Sequence, residues 1–185
     1  MLWHGAGSAG RDLFSLRNKL PRAFTYAAVR APLGPPFPMG GHSWYSIEGR
    51  ESGDPAGVTA GAQALLDWLA PLGERRVGLV GFSQGAAVSI QAMRLDPERF
   101  DFVVNLSGYA AGGSTLGDEA LKAAKVPVFW GRGTADQVIP LEAIEHTTAW
   151  LPDHSERVGR VYPGLAHAVS EQEVSDVARF LEKQL

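Results

Sequence analysis

Gly81-Phe82-Ser83-Gln84-Gly85 stands between an apolar run, Val77-Gly78-Leu79-Val80, and a helix-forming run that begins Ala86-Ala87-Val88. Strand, tight turn and helix, in that order, are the setting in which G-x-S-x-G is a nucleophile elbow. The turn is so sharp that its serine must take strained dihedral angles, with the hydroxyl standing above the sheet. Glycine two positions before and two after the serine removes side chains that would collide across the turn. Small side chains at Ala86 and Ala87 let the helix lie close to the strand. The five-residue pattern is weak alone, because glycine and serine are common; the strand before it and the helix after it carry the reading.

The same alternation extends along the chain. Apolar runs predict strands at 2–4, 25–31, 76–82, 102–106, 126–130 and 157–162. Their flat apolar character fits strands buried on both faces of a parallel sheet. Helical patterns fill the gaps. Asp54-Pro55 reads as an N-cap followed by proline in the first helical position, and the stripe Val58, Ala62, Leu65, Leu66, Leu69 runs on until Pro71 and Gly73 stop it. Pro140 starts another helix. Ser170-Glu171-Gln172-Glu173 is a capping-box pattern for a last helix that buries Val174, Val177, Ala178 and Leu181. Alternating β and α segments predict an α/β sheet with helices on both sides, in one domain spanning 1–185.

Composition narrows the function classes. The chain has 185 residues, 45% hydrophobic and 20% charged, with a net charge of −3. That length supports a full hydrophobic core, and that charge gives no reason to expect nucleic acid or an anionic membrane as partner. There are no cysteines, which excludes disulfides, thiolate zinc sites and a cysteine nucleophile. No basic segment with a long apolar continuation opens the sequence, and no stretch of about eighteen apolar residues occurs. The expectation is a soluble, cytoplasmic protein without an integral membrane segment. No metal-ligand cluster and no cofactor motif stands out: His4-Gly5-Ala6-Gly7 lacks the spacing of a phosphate-binding loop, and no Walker lysine follows it.

A serine hydroxyl is a poor nucleophile at neutral pH; it needs a histidine base, and the imidazole needs a carboxylate to hold its tautomer. Of the five histidines, His4 ends the first strand and His42 lies in a Pro/Gly-rich loop. His146 falls within a helical pattern, and His154 reads as part of a polar surface turn. His167, in Gly164-Leu165-Ala166-His167, follows the last strand directly, which puts it over the sheet rim where Ser83 projects. Asp136 occupies the equivalent loop after the preceding strand, within Gly131-Arg132-Gly133-Thr134-Ala135-Asp136; Asp118 and Asp153 are its rivals, and neither follows a strand directly. Oxyanion donors are expected from the backbone N–H of Gln84 and, in the loop after the first strand, of Ala6.

These segments together resemble the carboxylesterase/phospholipase family of α/β-hydrolases, which includes the acyl-protein thioesterases. The resemblance rests on Leu2-Trp3-His4-Gly5-Ala6-Gly7, Gly81-Phe82-Ser83-Gln84-Gly85-Ala86, Leu106-Ser107-Gly108-Tyr109, Gly133 to Pro140, Gly164-Leu165-Ala166-His167 and the pair Trp44-Tyr45. It implies Ser83, Asp136 and His167 as triad, in the nucleophile–acid–base order of that fold. It also implies the Ala6 and Gln84 amides as oxyanion hole, and cofactor-free hydrolysis of carboxylic esters or thioesters through an acyl-serine. Family members carry strands ahead of the His-Gly motif. Here the expected sheet is reduced to about six parallel strands, or the sequence starts downstream of its natural beginning. The resemblance further places the first strand between the second and third.

The segment 107–126 is too short for a sizeable lid domain. The loop 31–50, with four prolines and four glycines, offers Phe37, Met39, Trp44 and Tyr45 as an apolar wall for an acyl chain; a hydrophobic cluster that holds the loop down is the competing reading. The expected partner is a small ester or thioester with a short to medium acyl chain. Lysophospholipids and acylated protein cysteines are alternative substrates, and a non-catalytic binding protein on the same fold is the alternative of another class.

Overall fold

The computed structural model describes residues 2–3, 15–34, 41–46, 54–73 and 76–185. Among them one sheet is formed, from β1 (Leu2–Trp3), β2 (Ala28–Val29), β3 (Val77–Phe82), β4 (Phe100–Leu106), β5 (Pro127–Gly133) and β6 (Glu156–Tyr162), in the order β2-β1-β3-β4-β5-β6. Every pairing is parallel. Leu2 of β1 lies opposite Ala28 on one side and Val80 on the other, so the first strand does sit between the second and third. Strand order reverses beside it, and ligands favour the crevice at the carboxyl ends of strands at such a point.

Among the described residues five helices cover the sheet: α1 (Pro55–Leu69), α2 (Gln84–Leu95), α3 (Asp118–Ala124), α4 (Leu141–His154) and α5 (Glu171–Glu182). Successive side chains on a strand point to opposite faces, and each inner strand divides accordingly. Leu79, Val103 and Trp130 face one core with Val58, Ala62 and Leu65 of α1, Val88 and Ile90 of α2, and Trp150 and Leu151 of α4. Val80, Val104 and Phe129 face a second core with Val174, Val177, Phe180 and Leu181 of α5. α1 starts as its sequence predicts: the Asp54 carboxylate accepts from the Ala56 N–H at 3.2 Å, and Pro55 occupies the first turn.

Several boundaries move. β2 spans two residues where 25–31 reads as a strand, and β5 continues through Gly131, Arg132 and Gly133, which read as loop. The extension follows from pairing rather than propensity, since these three residues lie opposite Arg160, Val161 and Tyr162 of β6. His154, expected on a polar turn, is buried at the end of α4, its ring stacked 4.1 Å from that of Trp150. The capping box is half made: Ser170 Oγ accepts from the Glu173 N–H at 3.1 Å, but neither Glu173 carboxylate oxygen has a hydrogen-bond partner among the described residues. That carboxyl instead lies fully buried against Gly131, where a side chain would overlap its Oε1. Burial pushes it up to about 7, with a further push from Asp176, against a pull from the nearby Ser170 N–H that falls short of a hydrogen bond.

Residues 107–117 connect β4 to α3 without a helix of their own. Their far end is held by Arg94 of α2, whose side chain is wholly buried and meets Asp118 through Nε–Oδ1 and Nη2–Oδ2 contacts of 2.9 Å each. Arg94 also donates to the carbonyls of Ala111 and Gly113, at 2.7 and 2.8 Å. Among the described residues no helix is long and apolar enough to cross a membrane.

Candidate active site

Ser83 joins β3 to α2 with φ 53° and ψ −120°. A non-glycine residue there costs about 1–3 kcal/mol, and it persists only where the surroundings over-determine it. Three backbone bonds do so: the Ser83 N–H donates to Leu106 C=O at 2.8 Å, and the Ser83 C=O accepts from Ala86 and Ala87 N–H at 3.0 Å each. The turn closes only over glycine. A Cβ at Gly81 would stand 2.6 Å from the Ala86 backbone and from the Gly85 carbonyl.

Two further loops at the same rim converge on the serine. His167, after β6, brings Nε2 to 2.8 Å from Ser83 Oγ, and its Nδ1 lies 2.8 Å from Asp136 Oδ2. An ionised carboxylate can only accept, so Nδ1 carries the proton and Nε2 is left to accept from the serine hydroxyl. The second Asp136 oxygen accepts from the Val138 and Ile139 amides at 2.9 and 3.3 Å. Burial pushes the Asp136 carboxyl up. The hydrogen bonds from His167, Val138 and Ile139 outweigh it and hold the group below the usual carboxylate range. Its side chain is 2% exposed and that of His167 16%, so the aspartate is enclosed while the imidazole stays accessible. The Phe82 ring lies 4.9 Å from the imidazole, tilted by 42°, and limits its swing.

The rival residues are occupied elsewhere. Asp118 belongs to Arg94, and His42 Nδ1 lies 3.1 Å from the Leu33 carbonyl oxygen. Gln84 opens α2, so its N–H has no intrahelical acceptor and is available to an oxyanion beside Ser83. The Ala6 donor, His4, Phe37 and Met39 lie outside the described residues.

Trp44 and Tyr45 are 3% and 6% exposed, within the core shared by α1 and α2. Their burial favours the competing reading, a hydrophobic cluster that holds the segment down. The Tyr45 hydroxyl lies 2.6 Å from that of Tyr109, and burial raises both phenols. Sequence reasoning missed the Gln84 side chain, whose oxygen accepts from the Trp44 N–H and whose nitrogen donates to the Tyr45 carbonyl, at 2.7 Å each. No local pattern announces it, because its partners lie about forty residues away. Among the described residues no three histidine, cysteine or carboxylate side chains could share a metal ion.

The sequence profile of the family described as Phospholipase/Carboxylesterase matches residues 1–185. The acyl-protein thioesterase 1 of Debaryomyces hansenii is 34% identical over 112 residues, 57% of this chain and 47% of that one. A probable carboxylesterase of Oryza sativa subsp. japonica is 27% identical over 205 residues, all of this chain and 77% of the relative. The crystal structure of esterase PE8 superposes with TM-score 0.76 at 27% identity, covering 100% of this chain and 91% of that one. The carboxylesterase of Bacillus cereus gives 0.82 at 18% identity, covering 100% and 87%, a likeness of fold.

Proposed function

The chain belongs to the phospholipase/carboxylesterase family of α/β-hydrolases, and from that premise we propose that it hydrolyses carboxylic esters or thioesters of short to medium acyl chains through an acyl-serine at Ser83. Ser83 Oγ attacks the acyl carbonyl while His167 Nε2 takes its proton. Asp136 holds the Nδ1–H and stabilises the imidazolium. Charge that develops on the carbonyl oxygen meets the Gln84 N–H and, on the reading of the sequence, that of Ala6; each donor lowers the barrier by about 3 kcal/mol. The tetrahedral adduct collapses, His167 returns the proton to the leaving alcohol or thiol, and water repeats the cycle on the acyl-enzyme.

The observation that carries this reading is the unbroken Ser83–His167–Asp136 chain, 2.8 Å at each link, on a serine held at positive φ. The test is a fluorophosphonate probe mapped to a peptide, with release of p-nitrophenol from butyrate and octanoate esters at pH 8. Ser83→Ala should lose label and about 10⁶-fold in kcat, since triad members act as a unit. Retained turnover in that variant rules the mechanism out. Relatives named acyl-protein thioesterase favour a thioester of an acylated protein cysteine as a second substrate class. Paired oxygen and sulfur esters of one acyl chain discriminate them. A small-molecule substrate and a cytoplasmic location belong to the same proposal.

A further inference from the structure

Gln84 makes contacts in two directions. Its amide opens α2 beside Ser83, while its side chain, in a residue 4% exposed, is committed to the segment 41–46. A primary amide presents one acceptor and one donor edge, as a peptide group does. Accepting from Trp44 N–H and donating to Tyr45 C=O, it binds that segment as a neighbouring strand would.

Other contacts brace the same segment. Ser43 and Leu33 exchange two backbone bonds of 3.2 Å. The Tyr45 hydroxyl meets that of Tyr109, in the connection after β4. A Cβ at Gly61 would stand 2.9 Å from Val88 and 3.2 Å from the Trp44 carbonyl oxygen, so α1 is bare where it meets both α2 and the segment. The result is a strap braced from three sides and tied by Gln84 to the first turn of α2. Nothing within the helix fixes the Gln84 N–H, because a first-turn amide has no intrahelical acceptor. The side-chain clamp limits rotation of that residue, and a hydrogen bond weakens steeply as its donor turns away.

We infer that the Gln84 side chain is a positioning group for the reaction: by clamping Trp44 and Tyr45 it aims its own backbone N–H at the oxyanion. It therefore acts on the transition state and not on ground-state binding of the ester. This rests on the acyl-serine reading above.

Gln84→Met keeps the length of the side chain and removes both bonds. On p-nitrophenyl butyrate, kcat should fall about 10- to 100-fold with KM changed less than about twofold. The Ki of an alkyl trifluoromethyl ketone, whose serine adduct carries the oxyanion, should rise by the same factor. A role in stability alone would lower the thermal midpoint and leave the ketone Ki of the folded protein in place; that result, or a rise in KM alone, overturns the inference. Gln84→Glu keeps the acceptor for Trp44 N–H but can donate to Tyr45 C=O only while protonated. Its activity relative to wild type, measured at each pH, should rise toward acid, and a flat ratio overturns the inference even if Gln84→Met does not fold. Failure of wild type to turn over ester or take the fluorophosphonate label removes the acyl-serine reading itself, and this inference with it.

Discussion

Replacing Arg94 by Met should be the most damaging single change outside the site, and its size follows from the contacts. Met fills the aliphatic part of the side chain. It removes the paired bonds to Asp118, the donors to Ala111 and Gly113 C=O, a 3.2 Å bond to Gln91 Oε1 and the cation seated 4.8 Å over the Trp150 ring. Asp118 keeps only its bonds from the Thr115 N–H and hydroxyl, at 2.9 Å each. Removing one partner of a buried pair costs about 3–5 kcal/mol because the other charge is left uncompensated. The Asp118 side chain is 11% exposed, so water reaches it and offsets part of the loss. We expect about 4 kcal/mol, a large share of the roughly 5–15 kcal/mol that holds a domain folded. Urea unfolding at pH 7 measures it, and a loss below about 1 kcal/mol would refute the account of Arg94 as an anchor.

Acid supplies a second check on the same variant. Burial pushes the Asp118 carboxyl up, but hydrogen bonds from Arg94 and Thr115, with the guanidinium charge, hold it well below the carboxylate range. A depressed carboxyl contributes stability that is full above its unfolded value of about 3.9 and is lost as pH falls through its folded value. Arg94→Met removes most of that pull, so the gap between variant and wild type should narrow below about pH 4. An equal gap at pH 3 and pH 7 contradicts it.

Asp136→Asn keeps an acceptor for the Val138 and Ile139 amides but frees the imidazole tautomer, and steady-state kinetics should show kcat about 10⁴-fold lower with the fold intact. Gly81→Ala drives a methyl into the Ala86 backbone, so the elbow must open; fluorophosphonate labelling of Ser83 should collapse, with about 2 kcal/mol lost in urea unfolding. The buried Glu173 holds its proton to about pH 7, while the unfolded chain releases it near 4.5. Its contribution therefore weakens stability progressively as pH rises between those values. Glu173→Gln should gain on wild type between pH 5 and pH 8, and a difference in urea midpoint that does not change with pH would count against the buried carboxyl as its cause.

The elbow was legible from the sequence because everything that makes it is local: a strand, a serine flanked by glycines and a small-residue helix start within about a dozen residues. Strand existence was legible for a related reason, since apolar runs must be buried wherever the sheet puts them. Strand ends were less so. Gly131-Arg132-Gly133 has poor strand propensity and becomes strand only because β6 offers it partners. Glu173 reads as a capping residue, because Ser-x-x-Glu satisfies local hydrogen-bonding rules; the gap left by Gly131 on another element draws its side chain inward.

His167 and Asp136 could be chosen from sequence because loops that leave parallel strands at their carboxyl ends share one rim, a constraint of topology that strand order in the chain already carries. The contact of His167 with Ser83 across 84 residues, the docking of Trp44 and Tyr45 on Gln84, and the burial of Arg94 against Asp118 were decided by tertiary structure alone. Periodicity and turn chemistry act over a few residues. Hydrogen-bond partners for a buried amide or guanidinium are whatever backbone the packed helices and loops bring within 3 Å.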